Sequence, residues 1–335
     1  FCIGLAEILG LSNQDTILPM VPMFHANAWG IPFAAVMLGV KQVLPGPLLD
    51  AESLLDLITR ERVNKACGVP TIWTGILAEL ERNPAKWKLP EPLLALCGGA
   101  APPLEAIRRL DRFGIEIRHL WGMTETTPVG TGGALKPHMK NWPEEKKYEM
   151  RAKQGWPAPF VEARIMREGV CAAWDGEASG ELEVRGPWVA ASYYQAPDQT
   201  ERWTKDGWFR TGDIATIDGE GYIKLVDRAK DLVKSGGEWI SSVDLENALM
   251  GHPAVKEAAV VGIPHPKWQE RPVAAVVLRD GLSATDEELR EFLAKDFARW
   301  QLPEAFVFME AIPRTSVGKF KKTALREQFA DWKWE

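Results

Sequence analysis

Apolar positions recur at helical spacing over residues 51–62, where Leu54, Leu55, Leu57 and Ile58 gather on one face and predict an amphipathic helix. Residues 93–97 form a short apolar run closed by Gly98-Gly99, the pattern of a buried strand. Pro102 and Pro103 then open a segment that stops at Gly114; proline first and glycine last predict a helix. Residues 115–120 read as the next strand. Strand, glycine turn, helix and strand is the order of an α/β layer. From about residue 155 to 226 the period changes. Short runs such as 181–184 and 222–226 sit between Gly, Pro and Asp turns, which predicts a β-rich subdomain. The charged stretch D-R-A-K-D at 227–231 separates it from a unit with a helix at 243–250, strands at 258–263 and 273–278, and a helix at 286–300. Thr285 and Glu288 have the spacing of a capping box for that last helix. The pattern divides the chain into residues 1–227, with the β-rich part at about 155–226, and a small α+β domain at 228–335.

The 335 residues suffice for two domains with sizeable cores. A net charge of -6 supplies no basic field for nucleic acid. Cys2, Cys67, Cys97 and Cys171 form no C-x-x-C pair, which points to reduced thiols in a cytoplasmic protein rather than a disulfide framework or a zinc site. The apolar run at 31–40 is far shorter than the roughly 20 residues a membrane span needs. The first residues carry no basic region of a signal peptide, and the chain begins with Phe1, so a fragment or processed chain is expected.

Several short stretches carry residues suited to nucleotide chemistry. In Trp121-Gly122-Met123-Thr124-Glu125, an aromatic face can stack a purine and a glycine admits close backbone approach. The Thr124 hydroxyl can donate to a phosphate, and the Glu125 carboxylate suits a magnesium ion carried by phosphates. The alternative is a loop with a solvated glutamate. Gly98-Gly99-Ala100 lies between a strand and a helix, where a flat ligand can approach the backbone, although most such turns only connect elements. Asp213, in G-W-F-R-T-G-D, can accept both hydroxyls of a ribose or serve as a turn residue. Residues 234–241, K-S-G-G-E-W-I-S, form a glycine-centred loop, or an ordinary turn between domains. His25 stands among aromatics in V-P-M-F-H-A-N-A-W-G, where a satisfied core histidine is the commoner case. Lys319 follows a proline turn and a glycine, so it can act as a mobile point charge or belong to a solvated tail with Lys321 and Lys322.

In order, P-M-F-H, G-G-A, W-G-M-T-E, T-G-D, D-R-A-K, G-G-E and P-R-T-S-V-G-K resemble the motifs of the acyl-adenylate-forming superfamily, the AMP-binding enzymes. That superfamily includes acyl-CoA synthetases, firefly luciferase and peptide-synthetase adenylation domains. The resemblance runs along essentially the whole chain and is nearest to long- and medium-chain fatty-acyl-CoA synthetases. It implies the C-terminal portion of a large α/β adenylating domain with a β-rich subdomain, followed by a small mobile α+β lid. The implied activity is a fatty-acid–CoA ligase that uses ATP with Mg²⁺, a fatty acid and CoA. Such an enzyme is compatible with peripheral membrane contact and with a homodimer.

The same resemblance implies roles. Lys319 bridges carboxylate and phosphate oxygens during adenylation, Glu125 holds the magnesium, and Thr124 meets phosphate. Gly98, Gly99, Ala100, Trp121, Gly122 and Met123 line the adenine site, while Asp213 and Arg228 contact the ribose. Lys230 falls at the hinge of the small domain, and Lys234, Gly236, Gly237 and Trp239 belong to the loop along the pantetheine path. His25 marks the carboxylate end of the acyl pocket and Trp29 a gate over the fatty-acid tunnel. No dedicated base for the CoA thiol is evident.

Two departures qualify the resemblance. The usual motif is Y-G-x-T-E; Trp121 keeps the stacking face and loses the phenol hydroxyl. The family also carries a Ser/Thr/Gly-rich phosphate loop ending in P-K-G upstream of P-M-F-H, and these residues do not include it. Without those donors triphosphate binding is expected to be weak, and the chain as given is expected not to be a competent enzyme. The alternatives are a non-catalytic acyl- or AMP-binding module, an aryl-CoA ligase, or a luciferase-like adenylating enzyme.

Overall fold

The run 93–97 becomes the fully buried strand Leu93–Cys97, near the middle of a seven-stranded sheet. In this computed structural model the described residues are 1–315 and 318–334. Ser316 and Val317 of the P-R-T-S-V-G-K motif, and Glu335, lie outside them. The chain divides into two units, Phe1–Thr211 with Ala215–Leu225, and Gly212–Ile214 with Val226–Glu335.

In the first unit the sheet runs in the order Lys41–Gln42, Thr16–Pro19, Lys65–Gly68, Leu93–Cys97, Ile115–Trp121, Thr131–Gly132 and Trp156–Pro157. The first five strands pair in parallel and the last two antiparallel. Parallel strands are covered on both faces, which is why the run 93–97 is apolar throughout rather than alternating. Helix Ala51–Glu61 buries Leu54, Leu55 and Ile58 as its period predicts, leaves Leu57 half-buried, and is capped by the Asp50 side chain, which accepts from the Ser53 N–H at 2.9 Å. The helix expected to open at the two prolines begins at Leu104 and ends at Asp111, because Pro103 is extended.

A five-stranded sheet follows in the order Ile223–Arg228, Phe209–Ile217, Gly180–Arg185, Glu162–Arg167 and Val170–Cys171. Its apolar face supplies Ile165, Leu182, Val184 and Phe209 to the same core as Leu5, Trp29 and Leu96.

The second unit folds around Glu238–Ile240, Val233–Ser235, Gln269–Leu278 and Val255–His265, with Ala305–Phe308 parallel to Gln269–Leu278. Helix Ser242–Met250 lies in this unit, as does helix Asp286–Leu293. Both bonds of the capping box form. The Glu288 N–H donates to Thr285 Oγ1 at 3.2 Å, and the Thr285 N–H to Glu288 Oε2 at 2.8 Å. The helix does not run to residue 300. It stops at Leu293, the Phe297 N–H closes a turn onto the Leu293 carbonyl at 3.0 Å, and Phe297 and Leu302 turn back against Leu289 and Leu293. Pro303 also favours extended backbone at Leu302.

One polar cluster is buried in this unit. Lys322 Nζ lies 2.7 Å from Glu246 Oε1 and donates to Ser242 Oγ at 2.5 Å. Asp227 accepts from the Ser242 N–H at 2.7 Å, and Glu246 accepts from the Val260 N–H at 2.7 Å. Arg326 pairs with Asp231 at 2.8 Å. Residues 227–231 are thereby tied to the C-terminal helix Lys322–Gln328. Among the described residues no helix is long and apolar enough to cross a membrane.

Candidate functional site

Three of the stretches singled out above leave the carboxyl ends of parallel strands in one sheet. Residues 21–30 follow Thr16–Pro19, Gly98–Ala100 follow Leu93–Cys97, and Gly122–Glu125 follow Ile115–Trp121. Ligands of open α/β sheets bind outside that edge.

Gly122 is required by close packing, since a Cβ there would lie 1.6 Å from the Pro128 carbonyl oxygen. Trp121 is buried, with its indole ring against Gly130. Beyond Met123 the chain makes a 3₁₀ turn, Thr124–Thr126. Thr126 Oγ1 accepts from the Met123 N–H at 2.9 Å and donates to the Pro128 carbonyl at 2.8 Å, which fixes the turn. Thr124 is thereby left exposed and Glu125 half-buried. Gly98 is buried while Gly99 and Ala100 are exposed.

Residues 26–29 hold an unexpected conformation. Ala26, Asn27, Ala28 and Trp29 have φ of 45°, 52°, 50° and 56°, a left-handed turn without glycine. Each such residue costs roughly 1–2 kcal/mol relative to right-handed backbone, with asparagine the most tolerant. The turn carries Trp29 into the core, 5% exposed, against Gly98, while His25 precedes it in extended backbone and is half-buried.

Two residues that sequence reasoning missed belong to this unit. His119 is buried, and its Nδ1 lies 2.9 Å from the Ala152 carbonyl. Burial pulls its pKa down from 6.5 to about 4, against hydrogen bonds to the Ala152 and Ala100 backbone. His119 thus joins the backbone at Ala152 to that at Ala100, in the turn at 98–100. Tyr193 donates its hydroxyl to Glu125 Oε1 at 2.5 Å. Burial, then Glu125, pushes the phenol above its ordinary range. The available signal was the adjacent pair Tyr193-Tyr194 in a chain with 4 tyrosines.

In the second unit Asp213 is 6% exposed, and Arg228 Nε lies 3.4 Å from Asp213 Oδ1. Lys319 is half-buried and stands close enough to both to feel them. Burial lowers its pKa, the Arg228 charge lowers it further, and Asp213 opposes both. The Thr315 N–H donates to the Lys319 carbonyl at 2.8 Å, so this segment is fastened to itself. Asp213 and Arg228 thus form an ion pair whose charges act on Lys319.

Lys230 is exposed, with its carbonyl accepting from Arg326 at 3.3 Å. Strands Val233–Ser235 and Glu238–Ile240 form a hairpin whose two-residue turn, Gly236-Gly237, has φ of 62° and 88°. Two positive φ values in succession define the glycine-rich hairpin turn. Lys234, Gly236, Gly237 and Trp239 are all exposed on this hairpin.

Among the described residues no group of three His, Cys, Asp or Glu side chains could hold a metal ion. A magnesium ion needs no such cage when it arrives on phosphates and takes one or two carboxylates from the protein. Half-buried Glu125, with its Oε1 occupied by Tyr193, fits that role.

Residues 2–194 match the AMP-binding enzyme family, and residues 244–319 match the AMP-binding enzyme C-terminal domain. The chain is 53% identical over 332 residues to a long-chain-fatty-acid–CoA ligase of Thermus thermophilus, covering 98% of this chain and 61% of that protein. A 3-methylmercaptopropionyl-CoA ligase of Ruegeria pomeroyi is 46% identical, covering 97% of this chain and 60% of that protein. The chain therefore spans about three fifths of the length of these relatives. Its fold superposes on o-succinylbenzoate CoA synthetase of Bacillus subtilis in complex with its acyl-adenylate intermediate. The TM-score is 0.81 at 29% identity, covering 97% of this chain and 63% of that one.

Proposed function

Since the chain belongs to the AMP-binding enzyme family, we propose that the full-length protein is a fatty-acid–CoA ligase working in two steps. A carboxylate oxygen of the fatty acid attacks the α-phosphorus of ATP, and the bond to pyrophosphate breaks to leave acyl-AMP. The thiolate of CoA then attacks the acyl carbon, and the bond to AMP breaks to leave the thioester. The observation that carries this reading is the exit of residues 21–30, 98–100 and 122–125 from one edge of the parallel sheet, with the family's motifs in the family's order.

The chain's own residues have these roles. Gly98, Gly99, Ala100, Trp121, Gly122 and Met123 face adenine with backbone and ring, and Asp213 with Arg228 holds the ribose. Thr124 donates to phosphate. Lys319, poised beside Arg228 and Asp213, places positive charge against oxygens that gain negative charge in the first step. His25 meets the acyl carboxylate and Trp29 closes the tunnel behind it. The exposed hairpin with Lys234, Gly236, Gly237 and Trp239 serves the thioester step, with Lys230 at the hinge. Glu125 would hold a magnesium ion carried on the phosphates, which would supply charge neutralisation there. These 335 residues contain no Ser/Thr/Gly-rich loop ending in P-K-G, so both steps are proposed for the full-length protein.

The test is ATP–pyrophosphate exchange by the full-length protein with palmitate, octanoate and 3-methylmercaptopropionate, with and without Lys319→Ala. The expected result is exchange with a fatty acid preferred over the short thioether acid. Lys319→Ala should lower the exchange rate about 10²–10³-fold while thioester formation from preformed acyl-AMP stays within a few-fold. Exchange with none of these acids would refute the ligase reading, and a preference for the thioether acid would refute the fatty-acyl one.

A further inference from the structure

Glu125 is gripped twice by one segment. Its backbone carbonyl accepts from the Ala190 N–H at 2.7 Å, and its side-chain Oε1 accepts from the Tyr193 hydroxyl at 2.5 Å. That segment is braced in turn. Trp203 Nε1 donates to the Ala190 carbonyl at 2.7 Å. The Tyr193 and Trp203 rings meet edge to face, 5.2 Å between centroids, and Trp203 packs on buried Phe209 at 5.1 Å. Backbone, carboxylate, phenol and indole therefore close a ring through residues 125, 190, 193 and 203.

A glutamate side chain on a 3₁₀ turn has free rotation about several bonds, and a carboxylate that must meet a metal loses that freedom on binding. A hydrogen bond to one carboxylate oxygen removes the freedom beforehand and leaves the other oxygen to bind. Groups of this kind behind a metal ligand are worth about 10–100-fold in metal affinity. We propose that Tyr193 is a positioning residue for the magnesium–nucleotide site, fixing the Glu125 carboxylate so that Oε2 faces the metal. This rests on the reading of Glu125 as the magnesium ligand of an AMP-forming ligase.

Tyr193→Phe removes only the hydroxyl and keeps the ring on Trp203, so the segment stays folded. The measurement is binding of Mn²⁺, standing in for Mg²⁺, to the full-length protein with ATP, followed by electron paramagnetic resonance. Wild type, Tyr193→Phe, Glu125→Gln and the double variant are compared. The expected result is about tenfold weaker Mn²⁺ binding in Tyr193→Phe, with the KM for fatty acid unchanged. The double variant should be no weaker than Glu125→Gln alone, because the phenol acts only through the carboxylate. Tyr193→Phe within twofold of wild type, with Glu125→Gln weakened, would overturn the role of Tyr193 and leave the ligase reading standing. Both variants within twofold of wild type would remove Glu125 from the metal site, and the role of Tyr193 would fall with it.

Discussion

Trp29 and Gly98 are in contact across the edge of the sheet. A Cβ on Gly98 would stand 3.3 Å from Trp29 Cη2 and 2.8 Å from Leu120 Cδ1. Trp29 ends the strained turn at residues 26–29 and Gly98 begins the turn at 98–100. The two regions proposed for acyl chain and adenine therefore share one packing surface.

Gly98→Ala should destabilise the protein by about 1–2 kcal/mol. Overpacking a filled site costs about 1–3 kcal/mol, and the reduced entropy of the unfolded chain returns about 0.4–1 kcal/mol. Urea unfolding followed by tryptophan fluorescence measures the difference. A variant as stable as the parent would mean that Trp29 and Leu120 move aside freely.

His119 should make stability fall in acid before most carboxylates titrate. Its folded pKa of about 4 lies below the ordinary 6.5, so between those values the unfolded chain binds the proton and the folded one does not. Stability is therefore complete above about pH 6.5 and falls as the pH drops towards 4. The total loss is about 3 kcal/mol, because each tenfold weakening of proton binding on folding is worth about 1.4 kcal/mol. Urea midpoints measured from pH 7 to 4 should slope less steeply in His119→Gln, which cannot take up the proton. An identical slope in the variant would mean that His119 is not buried neutral.

Much of this arrangement was legible from the chain. The strand Leu93–Cys97, the helix at 51–61 and the capping box at Thr285 follow from local pattern, because their determinants lie within a few residues of one another. The bond from Tyr193 to Glu125 spans 68 residues and leaves no local trace, and the same holds for His119 with Ala152. The left-handed turn was hidden for a different reason. Its residues Ala-Asn-Ala-Trp have no preference for that backbone strong enough to announce it, so packing of Trp29 in the core imposes it. The early end of the helix at Leu293 is likewise decided by where Phe297 and Leu302 find apolar partners.

Lys322 and Glu246 should be far more sensitive singly than together. Burial opposes the lysine charge, yet Glu246 and Asp227 outweigh it and hold the Lys322 ammonium above its ordinary range. Lys322→Met leaves the acidic partners buried without their cation, at about 3–5 kcal/mol. Adding Glu246→Gln, which keeps an acceptor for the Val260 N–H, should restore part of that loss. Thermal unfolding of the single and double variants gives the coupling directly. A loss below about 1 kcal/mol in Lys322→Met would show that water reaches the cluster.

The left-handed turn at residues 26–29 also limits how this molecule can diversify. Valine, isoleucine and threonine are strongly disfavoured at four consecutive positions by backbone shape alone. Substitutions here are easiest to glycine, asparagine and aspartate, which tolerate left-handed backbone best. On the function proposed above, changes of selectivity would have to be written into segments other than residues 26–29.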